Sequence, residues 1–133
     1  MIYLDSSAVV KLARAAAETD ALRAWLAAHP APLVASALAR TESARALQRS
    51  EPAALPVLTM VLAVLHQHPV SDAILDRAAT LPGAHLRSLD AIHLATAEAL
   101  GESVQAFVAY DKRLADAARQ LGLTVVAPAT RSG

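Results

Sequence analysis

Cysteine is absent from the chain, which removes disulfides, zinc–thiolate sites and thiol nucleophiles together. Any metal ion must therefore sit on carboxylate, imidazole or water. Long apolar runs are missing too: the longest, PVLTMVLAVL at 56–65, falls well short of the roughly 20 residues that a bilayer span needs. The opening MIYLD has neither the basic region nor the small-residue cleavage site of a secretory signal. The expectation is a soluble cytoplasmic protein with no membrane partner. Net charge is the third absence. Twelve Lys and Arg cancel twelve Asp and Glu, so bulk charge does not announce nucleic acid, and any such binding must come from local arrangement. Ten of the twelve basic residues are Arg, a type suited to forked phosphate contacts, although a GC-rich genome produces the same bias. No internal repeat, low-complexity segment or linker divides the sequence.

What remains is a chain of 133 residues, 55% hydrophobic and 18% charged, which is the profile of one globular domain with a real core. Residues 1–133 read as a single unit with a loose tail at 128–133. Strand and helix signals alternate along it. Ile2 to Leu4 is a short apolar strand, and Ser6 and Ser7 are candidate caps for a helix through Val9, Val10, Leu12 and Ala13. ETDALRAWLAAH places Leu22, Trp25, Leu26 and His29 at helical spacing. Leu33 to Ala35 is a second strand, with Ser36 as N-cap of SALARTESARALQR. Residues 52–68 read as one helix, with Pro56 near its first turn or kinking it. Ser71 caps DAILDRAAT, which Pro82 and Gly83 stop, and Ser88 opens SLDAIHLATAEAL. VQAFVAY then reads as a strand, DKRLADAARQLG as a helix closed by Gly122, and LTVVA as a last strand. Strands separated by helices imply a parallel sheet covered on both faces.

Sites in open parallel sheets form beyond the carboxyl ends of the strands. Asp5 directly follows the first strand, and Asp111 lies one residue past FVAY. Asp90 is in the first turn of a helix apolar on nearly every side, hence central. Glu42 lies one and a half turns into the helix after the second strand, on the face of Leu38 and Ala46. Taken singly, each acid has a structural explanation. Asp5 and Asp111 could be N-caps, Asp90 a charge complementing a helix dipole, and Glu42 a surface partner of Arg45 or Arg49. Caps need not gather at one edge of one sheet, so the joint pattern says more than its members. Carboxylates forced together stay ionised only beside a cation. All-oxygen ligands suit Mg²⁺ or Mn²⁺, and such an ion supports hydrolysis of a phosphate ester.

Four blocks carry a resemblance: IYLDSSAVVKL, ALARTESARAL, RSLDAIHLATA and VAYDKRLADAARQLGLTVV. Their order and intervals resemble those of the PIN-domain family, specifically the ribonuclease toxins of VapBC-type toxin–antitoxin modules, over nearly the whole chain. The resemblance implies an α/β class fold, a three-layer α/β/α domain around a short parallel sheet. It also implies a metal-dependent endoribonuclease using Mg²⁺ or Mn²⁺, an RNA substrate, a cognate VapB-like antitoxin and a homodimer. Residue by residue it puts the family's acids on Asp5, Glu42, Asp90 and Asp111, as catalytic residues and metal ligands, with Asp5 and Asp90 as the direct ligands and Glu42 and Asp111 ligating or holding metal-bound water. Ser6 matches the hydroxyl that follows the first acid. Asp116 is accessory, because five residues beyond Asp111 is about 140° around a helix.

His93, one turn beyond Asp90, could be a ligand or proton carrier; the preferred reading is a residue packed beside the site or bonded to a backbone carbonyl. Arg87, Lys112 and Arg113 could hold RNA phosphates at the rim, or be solvated charges at helix ends. Tyr110 could stack a base or be buried. His66 and His68 read as surface residues. Rival enzyme classes fail on particular positions. A haloacid-dehalogenase-like phosphatase needs an aspartate where Ser7 stands. A receiver domain needs paired acids near the first strand and a lysine after the last, and neither is present. Neither GxxxxGK[ST] nor GxSxG occurs. The remaining competitor is a non-catalytic PIN-like module that binds RNA or protein. The apolar segments WLAAH and PVLTMVLAVL exceed what a small sheet needs for cover, leaving room for a dimer interface or an antitoxin groove.

Overall fold

The computed structural model describes residues 1–83 and 85–129. Five strands pair in parallel in the order β3-β2-β1-β4-β5: β1 (Ile2–Leu4), β2 (Leu33–Ser36), β3 (His66–His68), β4 (Ala106–Val108) and β5 (Val125–Val126). The chain builds outward from β1 through β2 to β3, then returns to the other side for β4 and β5. The reversal falls between β1 and β4, whose ladder matches Ile2 with Ala106 and Leu4 with Val108. At such a switch point the loops leaving two adjacent strands part, and a crevice opens at their carboxyl ends.

Helices cover both faces, as the alternation of strand side chains requires. Ile2, Leu4, Ala35 and Val108 point into one core, which is shared with α1 (Ser6–Ala13), α2 (Thr19–Ala28), α3 (Leu38–Ser50) and α4 (Leu55–Val64). Tyr3, Val34 and Phe107 point into the other, against α6 (Ser88–Leu100) and α7 (Lys112–Gln120), with α5 (Asp72–Thr80) packed on α6. Tyr3 and Phe107 stack at 5.0 Å between ring centroids. Such a pair contributes about 0.5–1.5 kcal/mol beyond the area it buries. The result is the three-layer α/β/α arrangement expected above.

Local boundaries differ at four points. Ser6 and Ser7 are the first helical residues of α1, and the cap is Asp5, whose Oδ1 accepts from the Ala8 N–H at 2.8 Å. Ser36 is the last residue of β2 rather than an N-cap; Ala37 holds that position without a side-chain bond, while Ser36 Oγ accepts from the Leu38 N–H at 3.2 Å. The single helix expected at 52–68 is three pieces. A short 3₁₀ turn at Pro52–Ala54 leads into α4, which ends at Val64, and His66–His68 is an edge strand. The open edge of β2 supplies the reason: Val34 to Ser36 pair with His66 to His68, and the Ala37 N–H donates to the His68 carbonyl at 2.8 Å. Tertiary pairing overrides the weak strand propensity of HQH. The strands expected from VQAFVAY and LTVVA are each shorter, at three and two residues.

Gly122 closes α7 as its position suggested. It has φ +83°, a left-handed conformation that side chains with a Cβ resist, and its N–H returns to the Arg119 carbonyl at 2.9 Å. In the expected loose tail, the Pro128 carbonyl accepts from Tyr110 Oη at 2.8 Å; residues 130–133 lie outside the described residues. No helix among the described residues is long and apolar enough to cross a membrane.

Candidate active site

Four elements deliver acids to the switch point. Asp5 directly follows β1 and caps α1, and its backbone N–H donates to the Val108 carbonyl of β4 at 3.2 Å. Asp111 follows β4 and caps α7, accepting from the Leu114 N–H at 3.0 Å. Asp90 stands in the first turn of α6, and Glu42 on α3. Capping and convergence are thus one device for two of the acids, since the bond that starts the helix also aims the carboxylate. Asp5, Glu42, Asp90 and Asp111 line one cavity of about 140 Å³, together with Ser6 and His93.

Their environments differ. Asp5 is 4% exposed. Burial pushes its carboxyl above the usual range, against the pull of bonds from the Ala8 N–H and Ser7 Oγ, and Asp90 adds repulsion. Both of those bonds fall on Oδ1. Asp90 accepts no hydrogen bond from the described residues. Burial raises its carboxyl too; His93 and Arg87 pull it down, while Asp111 and Glu42 repel it. Glu42 goes the other way, because bonds from His93 and Ser6 outweigh its burial and hold it below the ordinary carboxylate range.

Glu42 is therefore no surface partner of Arg45 or Arg49. Ser6 Oγ donates to its Oε1 at 2.6 Å, and His93 Nε2 lies 2.7 Å from the same oxygen. His93 is 2% exposed, and it bonds side chains rather than a backbone carbonyl. Its Nδ1 sits 2.7 Å from Tyr3 Oη, which also accepts from the Ser36 N–H at 3.1 Å. In the neutral imidazole this chain is satisfied when Tyr3 donates to Nδ1 and Nε2–H donates to Glu42. Tyr3 escaped the reading of the sequence, where it was one residue of an apolar strand. The available signal was that a buried tyrosine hydroxyl needs a partner.

The remaining candidates separate. Arg87 lines the cavity. Lys112 and Arg113 are exposed on the first turn of α7 and do not line it. Asp116 is exposed and pairs with Arg119 at 3.2 Å. Tyr110 is half-buried, with Lys11 Nζ 4.7 Å above its ring.

A cation tests the site. Among the described residues, no three His, Asp or Glu side chains stand at the spacing of a closed ligand set. The donors are nonetheless all oxygen, mutually repelling and partly desolvated, which suits a hard divalent ion. Mg²⁺ in particular keeps several waters and binds through one or two carboxylates plus substrate phosphate rather than a full protein cage. The residues present fit that open kind of coordination.

Residues 2–120 match the PIN domain family, and the chain belongs to it. Among Mycobacterium tuberculosis proteins, it is 46% identical to ribonuclease VapC35 over 131 residues, covering 96% of this chain and 97% of that one. It is 48% identical to ribonuclease VapC46 over 127 residues, with the same coverage. The crystal structure of Mycobacterium tuberculosis VapC20, described as a sarcin-ricin loop cleaving toxin, superposes with TM-score 0.73 at 18% identity, covering 88% of this chain and 95% of that chain. At that identity the likeness speaks for the fold.

Proposed function

We propose that the protein is a metal-dependent endoribonuclease toxin that hydrolyses RNA phosphodiester bonds and is neutralised by a cognate VapB-like antitoxin. The observation that carries this reading is the meeting of Asp5, Glu42, Asp90 and Asp111, from four separate elements, at the switch point of the sheet. Near-full-length similarity to proteins named VapC ribonucleases supports it.

In this reading the four acids hold Mg²⁺ or Mn²⁺, with Asp5 and Asp90 as the direct ligands. When bound, the cation offsets charge on the phosphoryl oxygens and makes water more acidic. Ser6 and His93 hold Glu42 in one orientation through Oε1, which leaves its other oxygen for the cavity. Arg87, the one Arg or Lys that lines the cavity among the described residues, balances the phosphate that enters a negative site. Lys112 and Arg113 serve as outer phosphate contacts, and Asp116 stays accessory. A homodimer completes the proposal, supported by Val57, Met60 and Val64, which lie exposed at helical spacing on α4.

The test is cleavage of end-labelled RNA by antitoxin-free protein in Mg²⁺, Mn²⁺ or excess EDTA, with Asp90→Asn in parallel. Cleavage that requires the ion and disappears in the variant is expected. The alternative is a non-catalytic PIN-like module that binds RNA or protein, and the spread of the acids beyond a closed ligand set is what favours it. RNA binding without cleavage in any metal would select that alternative.

A further inference from the structure

A second and larger cavity, about 730 Å³, runs from the acidic pocket along the seam between α1 and α3. The two spaces share Ser6, Ser7 and Glu42, so they adjoin at these side chains. Lys11 and Arg14 line it from the end of α1, and Arg45 and Arg49 line it from α3. Both sets obey helical spacing, i and i+3 or i and i+4, which keeps each pair on one face. In a chain whose charges cancel, four of the twelve cations meet here, and among the described residues Glu42 is the one carboxylate that lines the groove.

A basic last turn complements a helix dipole, which accounts for Lys11 on α1 and Arg49 on α3. It does not account for Arg14 and Arg45, nor for all four facing one groove. Lys11 is already engaged, 3.6 Å from Glu18 and over the Tyr110 ring. Arg14, Arg45 and Arg49 have no ion-pair partner among the described residues, and Arg14 Nε is buried without an acceptor. From Glu42 to Arg49 the groove follows α3 for about 10 Å. A cleft lined by one sign of charge concentrates the opposite sign within it, and guanidinium groups match phosphate by forked contacts.

We infer that the α1–α3 groove binds the phosphodiester backbone of the RNA strand flanking the scissile bond, with Arg45 and Arg49 as its exposed phosphate contacts and Arg14 behind them. This rests on the ribonuclease reading for the identity of the polyanion. The groove then supplies affinity and register, while the acidic pocket, which by itself repels RNA, performs the chemistry. Val10 and Leu38 on the groove wall offer apolar surface to sugars and bases rather than a base-specific code, so the contacts here are sequence-tolerant.

The test measures binding of a short labelled single-stranded RNA to Asp90→Asn protein, with and without Arg45→Gln plus Arg49→Gln, across a salt series. Both arginines are exposed, so the fold is not at risk, and a thermal melt checks this. The double substitution is expected to weaken binding at least about tenfold at low salt and to flatten the slope of log affinity against log salt by about 1.4, the value for two lost contacts on a single strand. Arg77→Gln plus Arg119→Gln removes the same charge outside the groove and is expected to change neither. Equal loss in both pairs would overturn the proposal in favour of general charge. Unchanged affinity and slope in the groove variant would overturn it outright. Cleavage by the parent with groove-insensitive binding sinks the groove alone, whereas groove-dependent binding without cleavage in any metal sinks the nuclease reading alone.

Discussion

The hydroxyl of Tyr3 lies 2.7 Å from Nδ1 of His93, ninety positions later in the chain. A residue in the middle of the central strand thereby sets the ring that holds Glu42 at the cavity. Tyr3→Phe keeps the stack on Phe107 but strands the Ser36 N–H and frees the imidazole. Loss of this buried bond is expected to cost about 1–3 kcal/mol, measured by urea unfolding. Cleavage should fall less than in Asp90→Asn, because Glu42 keeps its bond from Ser6.

Asp90→Asn is expected to make the metal-free protein more stable while abolishing cleavage. The Asp90 carboxyl is raised above its ordinary 3.8, chiefly by burial, with Asp111 and Glu42 adding repulsion. The folded state thus holds that proton more tightly than the unfolded chain, and stability falls as pH rises from 3.8 through the raised value. At neutral pH the full penalty is present, and Asn removes it. A gain in Tm in EDTA is expected, shrinking as the pH is lowered through that window. Added Mg²⁺ should raise the Tm of the parent more than that of the variant.

Asp5 separates charge from capping. Asn is as good an N-cap as Asp, so Asp5→Asn should fold like the parent and fail to cleave. Asp5→Ala loses the bond to the Ala8 N–H as well, at a further cost of about 1 kcal/mol. Paired thermal melts of the two variants check the difference, and equal melting temperatures would contradict the role of Asp5 as cap.

The exposed apolar face of α4 should be covered in solution. Met60 and Val64 are 71% and 74% exposed, a cost that association would relieve. Met60→Glu with Val64→Glu is expected to convert a dimer into a monomer, read as mass by light scattering on the eluting protein.

Much of this architecture was legible because the sheet is parallel. β1, β3 and β4 are each followed by a helix whose cap is an acid or hydroxyl, namely Asp5, Ser71 and Asp111, so residue type and position together marked Asp5 and Asp111. Asp90 was legible from contrast, an acid in a helix otherwise apolar. What stayed hidden depends on partners distant in sequence. HQH becomes a strand only because β2 offers an open edge, and a local reading of 52–68 sees uninterrupted helix. Tyr3 looked like strand packing until Ser36 and His93 supplied its partners. The basic groove is invisible for the same reason: Lys11 and Arg14 are one ordinary helix end and Arg45 and Arg49 another, and only the packing of α1 on α3 makes them one surface.

The ladder between β1 and β4 joins residues 2–4 to residues 106–108. Asp5 and Asp111, which follow the two strands beyond the same carboxyl end of that parallel ladder, cannot come together until nearly the whole chain exists. During synthesis, at roughly 5–20 residues per second, the growing polypeptide carries its first acid from the start and yet has nowhere to assemble it. A chain stopped at residue 104 is expected to show no cleavage at any metal concentration. Competence for cleavage therefore arrives late in synthesis and all at once, with the β1–β4 pairing.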